Sequence, residues 1–198
     1  MQTGFGNLQT RSSKAATSMD WLQVDVSSLA GKPGSTRKLS SSGPVEGFRA
    51  GMGWVDDGDP VSVDLELRSS SDGIEVTGEV RGKLHLACSR CLTEFDRDFR
   101  LGLDEKFWFD AEAAEEAEGY EVRDQVVDLE PMLRDAIVLS IPMTPVHAED
   151  CKGLCPECGA DLNVTDCGHA GRAPDFRWAP LEKLMASQFG AENEEVEK

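Results

Sequence analysis

An α+β fold is predicted: a curled or barrel-like antiparallel β-sheet carrying one packed helix, followed by a small C-terminal cysteine knuckle and a short helix. Three observations predict it. Val61, Val63, Leu65 and Leu67 alternate with Ser62, Asp64, Glu66 and Arg68, the period of a half-buried strand. The same period returns over Ile74–Val80, Leu84–Cys88 and Phe95–Leu103, with Ser71-Asp72-Gly73 turning the first strand back, so consecutive strands form a meander. The period then changes. Leu129, Met132, Leu133, Ala136, Ile137 and Ser140 follow helical spacing behind Asp128 as N-cap and Pro131 in the first turn, and Pro142 ends the helix.

The remaining elements follow in order. Residues 1–19, rich in Gln, Thr, Ser and Gly, read as a disordered arm. Order begins at Asp20–Leu29, where Leu22, Val24 and Val26 alternate. Gly31–Gly34 is a turn and Ser40–Pro44 a loop. The β-rich domain covers 20–146 with its helix over 129–140. Residues Ala111–Glu118 (AEAAEEAE) carry no apolar stripe and are expected as a mobile acidic loop. Residues 147–190 form the knuckle and a helix bearing Leu181, Leu184, Met185 and Phe189, and 191–198 an acidic tail.

Charge limits the partners. Of 198 residues, 37 are acidic and 20 are Lys or Arg, a formal net charge of −17. Such a surface repels nucleic acid broadly and attracts basic proteins. The exception is Arg81–Arg100, where Arg81, Lys83, His85, Arg90, Arg97 and Arg100 face only Glu94, Asp96 and Asp98. No leader or membrane-length apolar run stands out, so a cytoplasmic chain is expected.

Four of the six cysteines lie between Cys151 and Cys167, in Cys151-Lys-Gly-Leu-Cys155-Pro-Glu-Cys158-Gly159 and Cys167-Gly168-His169. Two thiolates separated by two residues grip one tetrahedral ion from a tight turn. Pro156 pre-sets that turn and Gly159 accepts the positive φ that follows. The expected site is one structural zinc held by Cys151, Cys155, Cys158 and Cys167, with His169 as an alternative fourth ligand. His147, just upstream of Cys151, is a weaker candidate for that position and reads more readily as a solvated loop histidine. Cys88-Ser-Arg-Cys91 is a second Cys-x-x-Cys pair, at a strand junction. It reads either as packed thiols or as an interaction surface built on Arg90 with Arg81, Lys83, Arg97 and Arg100. A split site shared by the two pairs is the weaker arrangement, because it leaves Cys151 and Cys167 spare.

No phosphate-binding glycine loop, HExxH or GxSxG occurs, and a closed thiolate site offers zinc no open position for water. No catalytic residue is assigned, and a non-enzyme is expected. The succession Cys88-Ser-Arg-Cys91-Leu92, Val127–Pro131 with Leu139–Pro142, Cys151–Asn163 and Phe176-Arg177-Trp178-Ala179 resembles the YceD family, named for large ribosomal RNA subunit accumulation, most closely its actinobacterial members. The resemblance spans about Asp20–Phe189. It implies a ribosome-biogenesis factor acting on large-subunit (23S) rRNA, through a basic ribosomal or processing protein or a local rRNA contact. It also makes the shared Cys-x-Arg-Cys turn the family's common feature. Two other classes fit the residues: a zinc-stabilised adaptor unrelated to ribosomes, and a thiol redox protein using Cys88 and Cys91.

Overall fold

The computed structural model describes residues 19–169, together with Trp178, Pro180, Leu181 and Leu184. Most of the expected N-terminal arm, the acidic tail and most of the expected C-terminal helix lie outside these residues. The chain divides into two compact units, Met1–His147 and Ala148–Lys198.

The first unit is mostly antiparallel sheet. Its elements are β1 (Gln23–Asp25), β2 (Thr36–Gly43), β3 (Arg49–Ala50), β4 (Gly53–Trp54), β5 (Val61–Ser69), β6 (Gly73–Ala87), β7 (Glu94–Trp108), α1 (Ala111–Glu116), β8 (Tyr120–Glu121), β9 (Val126–Asp128) and α2 (Glu130–Ser140). β6 is the spine. One edge pairs with β7 along its whole length, from Gly73↔Trp108 to Ala87↔Glu94. The other edge pairs first with β5 and then with β4. β2 lies outside β5, β8 joins β7 in parallel, and β1 pairs with β9 in a separate ribbon. The strand path stays open, so the sheet is not a closed barrel.

Alternation decides which face is buried. Along β5, Val61, Val63, Leu65 and Leu67 are buried, and along β6 so are Ile74, Val76, Val80, Leu84 and Leu86. Phe99, Leu103 and Phe107 of β7 join them. Gly78 permits the close pairing of β5 and β6. Its φ is +147°, and a Cβ there would meet the Asp64 carbonyl oxygen at 2.1 Å. The helix α2 closes the core with Met132, Leu133 and Ile137, each 1% exposed or less. Full burial of each such side chain contributes about 1.5–3 kcal/mol. Arg134 anchors the same helix. Its guanidinium donates to the carbonyls of Gly47 (2.9 Å) and Glu46 (3.1 Å) and lies 4.5 Å from the Phe48 ring centre.

Three expectations are corrected here. Ser40–Pro44 is not simply a loop, because Ser40–Gly43 belongs to β2. That strand is an edge with mostly exposed polar side chains, so it carries no apolar period. The acidic stretch is not a loop throughout, because Ala111–Glu116 is helical. The Asp110 carboxylate accepts from the Ala113 N–H, and Ala114 is the buried residue. The N-cap of α2 is Leu129 rather than Asp128, whose carboxylate instead accepts from the Glu130 N–H at 3.0 Å.

Candidate metal centres

The turn between β6 and β7 is a cysteine knuckle. The Cys88 N–H donates to the Thr93 carbonyl (2.9 Å), and the Leu92 N–H donates to the Cys88 carbonyl (2.8 Å). This closure puts Leu92 at φ 62°, a left-handed conformation costing an L-residue about 1–2 kcal/mol. The Ser89 N–H donates to the Pro145 carbonyl at 2.7 Å, which holds the segment after α2 against the knuckle. His147 follows, its Nδ1 3.4 Å from the Cys91 sulfur. The ligand atoms of Cys88, Cys91 and His147 all lie within 4.8 Å of one another. Burial pushes the Cys88 thiol up. Hydrogen bonding to the His147 side chain, and to backbone groups of His147, Arg90 and Cys91, outweighs it and brings the thiol to about 5.

The second unit contains the same turn. The Cys155 N–H donates to the Ala160 carbonyl (2.8 Å), and the Gly159 N–H donates to the Cys155 carbonyl (2.8 Å). Gly159 occupies the left-handed position, at φ +73°. Each hydrogen bond therefore has a counterpart in the first knuckle, with glycine where the first has leucine. Backbone groups of Cys158 and Glu157 bring the Cys155 thiol to about 6 against the opposing effect of burial, with Cys167 and Cys158 assisting. The His169 backbone lowers the Cys167 thiol, but hydrogen bonding to Cys155 together with burial outweighs it, and the net shift is upward. Cys155, Cys158, Cys167 and His169 present ligand atoms within 4.8 Å of one another. A tetrahedral zinc–thiolate site places sulfurs about 3.8 Å apart, from Zn–S bonds of about 2.3 Å. Three thiols and an imidazole at this spacing fit such an ion, and backbone N–H groups aimed at sulfur favour the thiolate form.

The expected four-cysteine set is therefore gathered only in part. Cys155, Cys158 and Cys167 come together, and His169 takes the place assigned to Cys151. His147, the weaker ligand candidate of the sequence, stands beside Cys88 and Cys91 although its side chain is exposed. The sequence carried one usable signal, the spacing of His147 four residues before Cys151. Its weight becomes visible only once the Pro145 carbonyl is seen tied to the first knuckle.

The basic residues do not form one patch. Arg81 and Arg100 are cross-strand partners on the outer face of the sheet, and both pair with Glu79. Lys83 shares that face, 4.0 Å from Asp96. Arg97 stands opposite Leu84, on the other face by strand alternation, with its guanidinium 5.8 Å from the Phe95 ring centre. Arg90 is exposed within the knuckle. On the outer face, His85 bridges Asp59 (2.7 Å) and Asp96 (2.9 Å) and stacks on Trp54.

Residues 76–185 match the sequence profile of the large ribosomal RNA subunit accumulation protein YceD, a span holding both knuckles and α2. The chain belongs to the YceD family. An uncharacterised protein of Mycobacterium bovis is 33% identical to it over 175 residues, covering 84% of this chain and 83% of the relative. YlbN of Bacillus subtilis, also uncharacterised, is 30% identical over 128 residues, 64% of this chain and 74% of its own. The chloroplastic large ribosomal RNA subunit accumulation protein YCED homolog 1 of Arabidopsis thaliana is 26% identical, covering 65% of this chain and 49% of the relative. No solved structure matches the chain.

Proposed function

We propose that this chain is a non-enzymatic ribosome-biogenesis factor that supports accumulation of large-subunit (23S) rRNA, working in the cytoplasm through a basic ribosomal or rRNA-processing protein. One observation carries the reading: the YceD family match runs across both cysteine knuckles and the helix between them. Charge favours protein over RNA as the direct contact. The net charge is −17, and Arg81, Lys83 and Arg100, the cations nearest to forming a patch, each have a carboxylate neighbour. The cysteines support a structural part for metal. Cys155, Cys158, Cys167 and His169 supply four protein ligands, so a zinc ion there keeps no open position for substrate. Among the described residues, no helix is long and apolar enough to cross a membrane.

The test is a pull-down of the tagged chain from native cells, divided into arms with and without ribonuclease. Ribosomal or processing proteins that persist after ribonuclease are the expected result, with affinity falling as salt rises. Loss of every large-subunit component in the ribonuclease arm would make RNA the direct contact. Enrichment of unrelated proteins only, without rRNA, would overturn the reading.

A further inference from the structure

We propose that Cys88, Cys91 and His147 hold a second zinc ion, so that the folded chain carries two. The first support is the duplicated turn. Both knuckles make the same pair of backbone hydrogen bonds, from Cys88 to Thr93 and Leu92 to Cys88, and from Cys155 to Ala160 and Gly159 to Cys155. A packed hairpin has no need of that geometry. It is maintained at Leu92 despite a left-handed φ, and strain of this kind persists where the surroundings over-determine it. Leu92 is 59% exposed, so core packing does not account for the conformation.

The second support is the third ligand. The hydrogen bond from Ser89 to Pro145 brings the segment before His147 to the knuckle, and the imidazole Nδ1 lies 3.4 Å from the Cys91 sulfur. Two soft sulfurs and one imidazole converge on a point with room for an ion.

Metal content of the purified full-length chain, measured by elemental analysis, tests this without reference to rRNA. Two zinc per chain are expected in the wild type, and one in either Cys88→Ser or Cys155→Ser. In the Cys155→Ser background, adding Cys91→Ser should remove the remaining ion, because the two residues then belong to different centres. One zinc in the wild type, or an ion in Cys155→Ser that is indifferent to Cys91→Ser, overturns the proposal. His147→Cys guards against variants that fail to fold, since it keeps a metal ligand at position 147. In the cobalt-substituted protein it should keep two ions and raise thiolate-to-cobalt absorption by roughly one fifth, one thiolate added to five. Unchanged absorption would place His147 outside the coordination sphere and equally overturn the proposal.

Discussion

Gly159→Ala isolates the conformational cost of the second knuckle. Gly159 sits at φ +73°, and a Cβ there meets nothing within 4 Å, so the substitution adds no clash. Only the backbone resists. Left-handed geometry costs an L-residue about 1–2 kcal/mol. Removing a glycine from the unfolded chain returns about 0.4–1 kcal/mol. The net loss is about 0–1.6 kcal/mol, centred on ~0.8 kcal/mol, and since each 1.4 kcal/mol is tenfold, zinc affinity at Cys155, Cys158, Cys167 and His169 should fall roughly fourfold. Competition with a graded chelator at fixed pH reads this directly, with one ion per chain responding and the other not. Gly159→Asn should lose less, because asparagine tolerates the left-handed region. Wild-type competition curves for Gly159→Ala would refute the reasoning, since they would mean the turn is not held in this conformation when metal binds.

Other expectations follow from the same geometry. Leu133→Ala, at a fully buried position of α2, should destabilise the first unit by about 2–5 kcal/mol in denaturant unfolding. His85 has a raised pKa, chiefly from its hydrogen bond with Asp59, opposed by burial and aided by the Asp96 charge. The stability from its protonated pairs is therefore fully present below about pH 6.5, the unfolded value, and is lost as pH rises through the higher folded value. The stability difference between wild type and His85→Gln, at most about 1 kcal/mol, should accordingly be larger at pH 5.5 than at pH 8 by chemical unfolding. Chelation should speed hydrogen exchange at Cys155, Gly159 and Leu162 while the β5–β6–β7 amides stay protected, because those three hydrogen bonds belong to the knuckle unit.

The parts legible in the sequence are those in which one face is buried. Val61–Leu67 and Ile74–Val80 announce strands because every second side chain enters the core, and Met132, Leu133 and Ile137 announce a helix for the corresponding reason. β2 was hidden because the edge strand is held by backbone pairing to β5, while its Ser and Lys side chains face solvent. α1 was hidden because its evidence is a single cap at Asp110 and one buried alanine within an acidic run. The Cys155–Gly159 knuckle was legible from proline, glycine and spacing alone. The place of His147 was not, because it depends on one long-range backbone bond, Ser89 to Pro145, that sets His147 beside Cys91. The basic segment misled for a simpler reason. Its residues alternate between faces, and Glu79 satisfies both Arg81 and Arg100.

A factor of this kind should sustain large-subunit rRNA in the cell. The most direct measurement is the ratio of large- to small-subunit rRNA in native cells depleted of the protein and complemented with wild type or with Cys155→Ser. Depletion should lower the large-subunit species while the small-subunit species holds, wild type should restore the ratio, and Cys155→Ser should restore it poorly. An unchanged ratio on depletion would contradict this.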